Sequence, residues 1–116
     1  MIITLGFTES DRDYSSFSDG YRTGARQTSV TIVLEGSGGH LSAEQWAEAA
    51  FAASNMPGPA TDPYTAAIQH ALAEQACFPM RSLSVGDTVT VHGQMLACEH
   101  AGWRRVHAPP ATGEYQ

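Results

Sequence analysis

The sequence predicts an α+β domain, in which an antiparallel sheet of about five strands carries two helices packed on one face. Segments with alternating apolar and polar residues lie towards both ends of the chain, and two stretches with helical periodicity lie between them. The last strands are separated only by short turns, which favours antiparallel pairing. The predicted order is β-β-α-α-β-β-β, with residues 1–106 as a single domain and residues 107–116 as a flexible tail.

Two strands are predicted in the N-terminal third. Residues 1–7 are apolar, and residues 28–34 (TSVTIVL) alternate with period two, so that Val30, Ile32 and Leu34 would face the core. These strands can pair as an antiparallel hairpin with a long connection. Residues 8–24 between them are rich in Ser, Asp, Gly and Tyr, and are predicted to form a long polar loop.

Two helices with clear starting signals follow a glycine-rich stretch, residues 36–39, which is predicted to be a flexible linker. Ser42 and Gln45 are spaced as a capping box, and this helix should run to about Ser54 with Asn55 in the left-handed conformation. The second helix should begin at Thr61 or Asp62, since a proline follows in the first turn. Its apolar stripe consists of Tyr64, Ile68 and Leu72.

Residues 81–106 predict a compact three-stranded module. Gly86 and Asp87 suit a tight turn before a β-branched strand, and His92-Gly93 suits a two-residue hairpin turn. A second turn should precede a short strand that begins at Trp103. The face predicted to turn towards the core carries Val89, Val91, Leu96 and Cys98.

Four short blocks carry a family resemblance: AFAASN at 50–55, Asp62-Pro63, RSLSVGD at 81–87 and ACEHAGW at 97–103. Together they resemble a group of small uncharacterised proteins of actinobacterial plasmids, integrative elements and phages. The SLSVGD block is also similar to the tail of YodL-like domains in conjugative elements. The resemblance covers about half of the chain and implies a mobile-element context, but no activity.

Composition excludes several function classes. A net charge of −6 and the absence of lysine argue against a general nucleic-acid binder, because phosphate contacts need clustered cations. We see neither a positively charged leader nor an apolar run long enough for a membrane span, so a cytoplasmic location is expected. Cys77 and Cys98 are two distant cysteines, and do not form a disulfide framework.

The polar loop is the predicted partner-binding region, because it interleaves acidic and aromatic side chains. Aromatic residues anchor protein interfaces, and carboxylates can pair with a basic partner surface. The candidate residues are Asp11, Asp13, Tyr14, Phe17, Asp19 and Tyr21. The alternative is a surface loop whose aromatic side chains pack back onto the sheet.

A second interpretation is a small metal- or thiol-dependent enzyme built on Cys98 and the nearby histidines. Cys98 and His100 are not spaced as in a usual zinc finger, and no CxxC or HxxxH pair is present. We therefore expect no metal and no cofactor, and favour a non-enzymatic interaction or accessory protein of a mobile element. Its partner would be an unidentified protein, with inhibition of a host protein and formation of a homodimer left open.

Overall fold

The computed structural model describes residues 1–76 and 81–107, and confirms the predicted α+β class with its five-stranded antiparallel sheet. The elements are β1 (Ile2–Thr8), α1 (Ser16–Asp19), β2 (Gln27–Val33), α2 (Ala43–Asn55), α3 (Pro63–Gln75), β3 (Thr88–Val91), β4 (Gln94–Cys98) and β5 (Trp103–Val106). The strand order is β2-β1-β3-β4-β5. β1 therefore joins the N-terminal hairpin to the C-terminal module.

The main core lies between the sheet and the two long helices. α2 packs against β3 and β4, whereas α3 packs against β2 and α2. Val30 and Ile32 are buried, whereas Ser29, Thr31 and Val33 are exposed, which confirms the alternation predicted for β2. The sheet residues of this core include Ile3, Leu5, Val30, Ile32, Val89, Val91 and Leu96, and the helices add Trp46, Ala50 and Ile68.

The predicted hairpin of β3 and β4 has the predicted register, with Val89 opposite Leu96. His92 and Gly93 both have positive φ angles, of 54° and 72°, as a type I′ turn requires. This turn matches the twist of the two strands, so two residues suffice to connect them. Cys98 is buried, as expected for its face, but lies outside the main core cluster.

The capping box at the start of α2 is present, with Ser42 and Gln45 bonded reciprocally. The prediction of a left-handed conformation for Asn55 is wrong. Asn55 is the last helical residue, and the extended Met56 follows it. The Asn55 side-chain amide donates to the carbonyl oxygens of Phe51, at 2.9 Å, and Leu83, at 3.1 Å. Because this amide satisfies a terminal carbonyl directly, the helix end needs no left-handed residue.

α3 begins as predicted. The Asp62 carboxylate accepts a hydrogen bond from the Thr65 backbone N–H at 2.9 Å, and Pro63 occupies the first turn. Ile68 and Leu72 of the predicted stripe are buried. Two predictions fall outside the described residues, namely those on Cys77 and on residues 108–116 of the tail.

The glycine-rich stretch before α2 differs from the predicted flexible linker. Gly38 is buried, and its carbonyl oxygen accepts a hydrogen bond of 2.8 Å from the Trp46 indole N–H. His92 Nε2 lies 3.1 Å from the same oxygen. The stretch is therefore joined to α2 and to the β3–β4 turn. Among the described residues, no helix has both the length and the apolar character needed to cross a bilayer.

Candidate interaction surface

Residues 9–26, hereafter the 9–26 segment, cover part of the sheet face that the long helices leave free. Tyr21 packs with Met95, Ala97 and Val106 in a second apolar cluster. Tyr14 is buried as well, with an exposed fraction of 4%. These two tyrosines thus follow the alternative in which aromatic side chains of the loop turn inward.

Local hydrogen bonds order the 9–26 segment, which was predicted as a long loop and instead contains α1 and a short bridge between Asp11 and Tyr14. The Asp11 carboxylate accepts from the Asp13 backbone N–H at 2.9 Å, and the Asp19 carboxylate accepts from the Ser15 N–H at 3.0 Å. Short polar side chains favour such turns and caps over an open loop. The abundance of Ser and Asp therefore produces order in this segment.

Tyr14 holds the segment together from inside. Its hydroxyl donates to the Gly20 carbonyl oxygen at 2.5 Å, and the Arg22 guanidinium lies 4.2 Å from the centre of its ring. Burial raises the pKa of the Tyr14 hydroxyl above its ordinary value, so the group remains a neutral donor at physiological pH. Tyr14 thereby closes the chain around α1.

An ion pair between the buried Asp87 and the half-exposed Arg81 anchors Thr8, directly before the 9–26 segment. The Asp87 side chain is 0% exposed, and one of its oxygens accepts from the Thr8 backbone N–H at 2.9 Å. The other oxygen accepts from the Ser84 N–H at 2.8 Å, and the Arg81 guanidinium donates to both oxygens. This bond to Asp87 raises the pKa of Arg81 further above its ordinary value. Residues 81–87 thus fasten the end of β1 to the start of β3.

Gly86 brings α1 against the same turn. Its φ angle is 91°, and a Cβ atom built there would lie 2.5 Å from the Ser16 carbonyl oxygen. Only glycine fits such a conformation and such an approach without strain. The SLSVGD block therefore forms the surface against which the 9–26 segment packs. This role explains the glycine and the aspartate of the block.

Phe17 of α1 projects from this anchored segment with an exposed fraction of 59%. The edge of its ring meets His100, with 5.6 Å between ring centres. His100 also lines a surface hollow of about 350 Å³, together with Asp19, Val85 and Glu99. An apolar ring thus stands beside a hollow that carries two carboxylates.

The structure divides the six predicted partner-binding residues. Asp11, Asp13, Phe17 and Asp19 are exposed, whereas Tyr14 and Tyr21 are buried and serve the segment itself. Their role in binding stays a prediction. Glu99 and His100 also lie at this surface, and no local pattern in the sequence places them there, because only the folded sheet brings the β4–β5 turn beside α1.

Cys98, the centre of the alternative enzymatic interpretation, lies in a poor environment for a thiolate. Burial, followed by the negative charges of Asp87, Glu48 and Glu99, raises the pKa of the Cys98 thiol to about 11. Its sulfur lies 3.8 Å from the Glu99 carbonyl oxygen. A nucleophilic cysteine needs a lowered pKa and some exposure, so these surroundings disfavour thiol chemistry.

Possible metal ligands do not gather in the part of the chain that the structure describes, where no group of three or more His, Cys, Asp or Glu residues could hold an ion. The histidines nearest in sequence to Cys98 are used differently. His100 meets Phe17, and His92 lies in the β3–β4 turn beside Gly38.

No protein-family model, curated protein or solved structure matches this chain. The resemblance to proteins of mobile elements therefore stays a prediction.

Proposed function

We propose that this chain is a non-enzymatic interaction protein of a mobile genetic element, which binds a host protein in the cytoplasm through the 9–26 segment. The observation that carries this proposal is Phe17, a large apolar side chain that is 59% exposed on a segment fixed from beneath. Exposed aromatic side chains in ordered surroundings are typical anchors of protein interfaces.

The anchoring of the segment supports a binding role because it lowers the entropic cost of association. Its side chains Tyr14 and Tyr21 are buried, and its Ser16 is in close contact with Gly86. A segment that is already ordered loses little conformational freedom when it meets a partner. The same contacts keep Phe17 from turning into the core, since they fix the direction of α1.

The charges beside Phe17 indicate the kind of partner. Asp19 and Glu99 line the hollow, whereas the rest of the segment exposes charges of both signs, among them Asp13 and Arg12. Arg104 pairs with Glu99 at 2.6 Å, so part of this negative charge is already compensated. We infer a partner surface with an apolar pocket for Phe17 and basic groups at its rim, where charge mainly affects association rate and specificity.

The mobile-element context rests on the four sequence blocks, and the cytoplasmic location is part of the proposal. A nucleic-acid partner is disfavoured by the net charge of −6. Inhibition of the bound host protein is the activity that such a context favours. A homodimer through the same surface is the second candidate, because an exposed aromatic side chain can also meet its own copy.

Photo-crosslinking from position 17 tests the proposal. A photoreactive phenylalanine analogue placed at position 17 should capture a specific host protein in cells, whereas the same analogue at Ile2 should not. Ile2 is the matched control because it is also 59% exposed but lies on β1. With the captured protein purified, Phe17→Ala should weaken binding roughly tenfold or more, and Ile2→Ala should leave it unchanged.

Equal capture from both positions, or unchanged affinity of Phe17→Ala, would contradict the proposal. Capture of the chain by itself from position 17 would support the homodimer. Circular dichroism of both variants should match the parent protein, because both side chains are exposed.

A further inference from the structure

A second cleft, of about 500 Å³, lies between the end of β2, the start of α2 and one side of α3. No residue of the 9–26 segment lines it. Ala67 and Ala71 of α3 contribute small side chains to the lining, and the small volume of these side chains leaves room for a ligand. The cleft has the size of small-molecule and side-chain sites.

Three aromatic rings form one wall of the cleft. His40 lies 5.0 Å from Tyr64 and 5.7 Å from Trp46, and the rings of Trp46 and Tyr64 are also 5.7 Å apart, measured between centres. Trp46 is fixed in place by its bond to the Gly38 carbonyl oxygen. Tyr64 is half-buried and His40 exposed, so both rings offer surface to a ligand.

The charged groups of the cleft are carboxylates. Glu35 and Glu74 line it, and no arginine does. The nearby N-terminal ammonium is outside the lining and is bonded to the carbonyl oxygens of Leu34 and Gly36. His70 Nε2 lies 3.2 Å from the Glu74 carboxylate, but both side chains are mostly exposed and the pairing is correspondingly weak. A wall of aromatic rings beside two carboxylates favours a cation, since ring faces and carboxylates both attract positive charge.

The edge of the sheet is closed at this cleft, which limits the shape of a ligand. The Gln75 side chain accepts from the Val33 N–H at 2.8 Å and donates to the Val33 carbonyl oxygen at 3.0 Å. These bonds occupy the backbone groups with which a further strand would pair at Val33. The cleft is therefore suited to a side chain or small molecule that enters end-on, and not to an added strand.

From these observations we propose that the cleft binds a guanidinium or ammonium group carried on an apolar stem. The stem would lie along Ala67, Ala71 and the aromatic wall, and the cationic group would lie between Glu35 and Glu74. Such a group occurs on arginine side chains of peptides and on free organic amines. This site is independent of the surface around Phe17.

Tryptophan fluorescence provides the test. Trp103→Phe leaves Trp46 as the single tryptophan of the chain, because the sequence contains two. Titration with N-acetyl-arginine amide should change this fluorescence saturably, with a Kd on the order of 1 mM for a ligand of this size. N-acetyl-citrulline amide has the same shape without the charge, and should bind at least about tenfold more weakly.

Phenethylammonium distinguishes the two sources of the cation. Tighter binding of phenethylammonium than of the arginine derivative would assign the cleft to free amines, and the reverse order would assign it to peptide side chains. Either order supports the proposal, provided that the binding saturates and depends on charge.

The double variant Glu35→Gln/Glu74→Gln should weaken both cationic ligands by about tenfold or more. Its matched control is Asp13→Asn/Glu44→Gln, which removes the same charge from exposed positions outside the cleft lining. Equal affinity for the arginine and citrulline derivatives, equal weakening in both double variants, or no saturable change with any cationic probe would overturn the proposal. Retained binding in Phe17→Ala would show that the two surfaces act separately.

Discussion

The two faces of the sheet are stabilised in different ways. On the helix-covered face, a continuous apolar core joins β1, β2, β3 and β4 to α2 and α3. On the other face, the cluster around Tyr21 is small, and the 9–26 segment is held by the close approach of Ser16 to Gly86 and by the hydrogen bond of the preceding Thr8 N–H to Asp87.

This difference indicates how each face responds to substitution. An apolar core spreads its free energy over many contacts, and conservative replacements in it cost little. A polar anchor concentrates its contribution in few groups, because each buried donor or acceptor left without a partner is costly. We therefore expect the 9–26 segment to depend strongly on residues 84–87, and the proposed interaction surface to depend on them indirectly.

The largest expected effect is that of Asp87→Ala. The Thr8 and Ser84 N–H groups would lose their acceptor, whereas the half-exposed Arg81 can be solvated, so we expect a loss of about 2–4 kcal/mol in the free energy of unfolding. Ile68→Val, at an equally buried position of the helix-covered face, should cost only about 0.5–1.5 kcal/mol. Urea denaturation measures the loss in the free energy of unfolding of both variants. An equal or smaller loss in Asp87→Ala than in Ile68→Val would contradict the proposed difference between the two faces.

Gly86→Ala should have the next largest effect, about 2–3 kcal/mol, since it adds both a strained φ angle and an overlap with the Ser16 carbonyl. Gly93→Ala is the control, because Gly93 also has a positive φ angle but open space around its Cβ position. We expect Gly86→Ala to release the 9–26 segment, so that trypsin cleaves faster at Arg12 and Arg22. Equal cleavage rates in the two variants would show that the contact between Ser16 and Gly86 does not hold the 9–26 segment in place.

Cys98 should make stability depend on alkaline pH. Its thiol pKa is about 11 in the folded protein against an ordinary 9.0, so the unfolded chain loses the proton first as the pH rises. The free energy of unfolding should then fall by about 2 kcal/mol between about pH 9 and pH 11. Below about pH 9 the contribution of Cys98 to this free energy should be fully present. Cys98→Ala should remove this part of the pH dependence, while contributions from the tyrosines remain in both proteins.

The same pKa predicts slow alkylation. In a Cys77→Ser background, Cys98 should react with iodoacetamide at pH 8 far more slowly in the folded protein than in urea. Rapid reaction of the folded protein would revive the thiol-dependent alternative and argue against a purely non-enzymatic role.

Much of the fold could be predicted because its signals are local. The alternation in β2, the capping box at Ser42, the proline after Asp62 and the His92-Gly93 turn each act within a few residues. Their geometry is decided by backbone sterics and nearby hydrogen bonds, which one sequence contains in full. The hairpin register follows from the turn in the same way.

The candidate sites could be predicted only in part. The composition of the 9–26 segment predicted an interaction region, but not which aromatic side chain remains exposed. Tyr21 turns inward because it covers the apolar residues of the free sheet face, and Tyr14 turns inward because its hydroxyl finds an acceptor at Gly20. Phe17 stays outside, because α1 is oriented by Ser16 against Gly86.

By itself, the sequence determined the five strands, the two long helices, their order and the class of the fold, since these follow from periodicity, caps and turns within short stretches. Tertiary structure alone decided that Asp87 bonds Thr8, that Gly86 receives Ser16, and that Glu35 and Glu74 share a cleft with Trp46. These contacts join residues far apart in the chain, so no local pattern contains them. They form only when β1 pairs with β3 and the helices settle on the sheet.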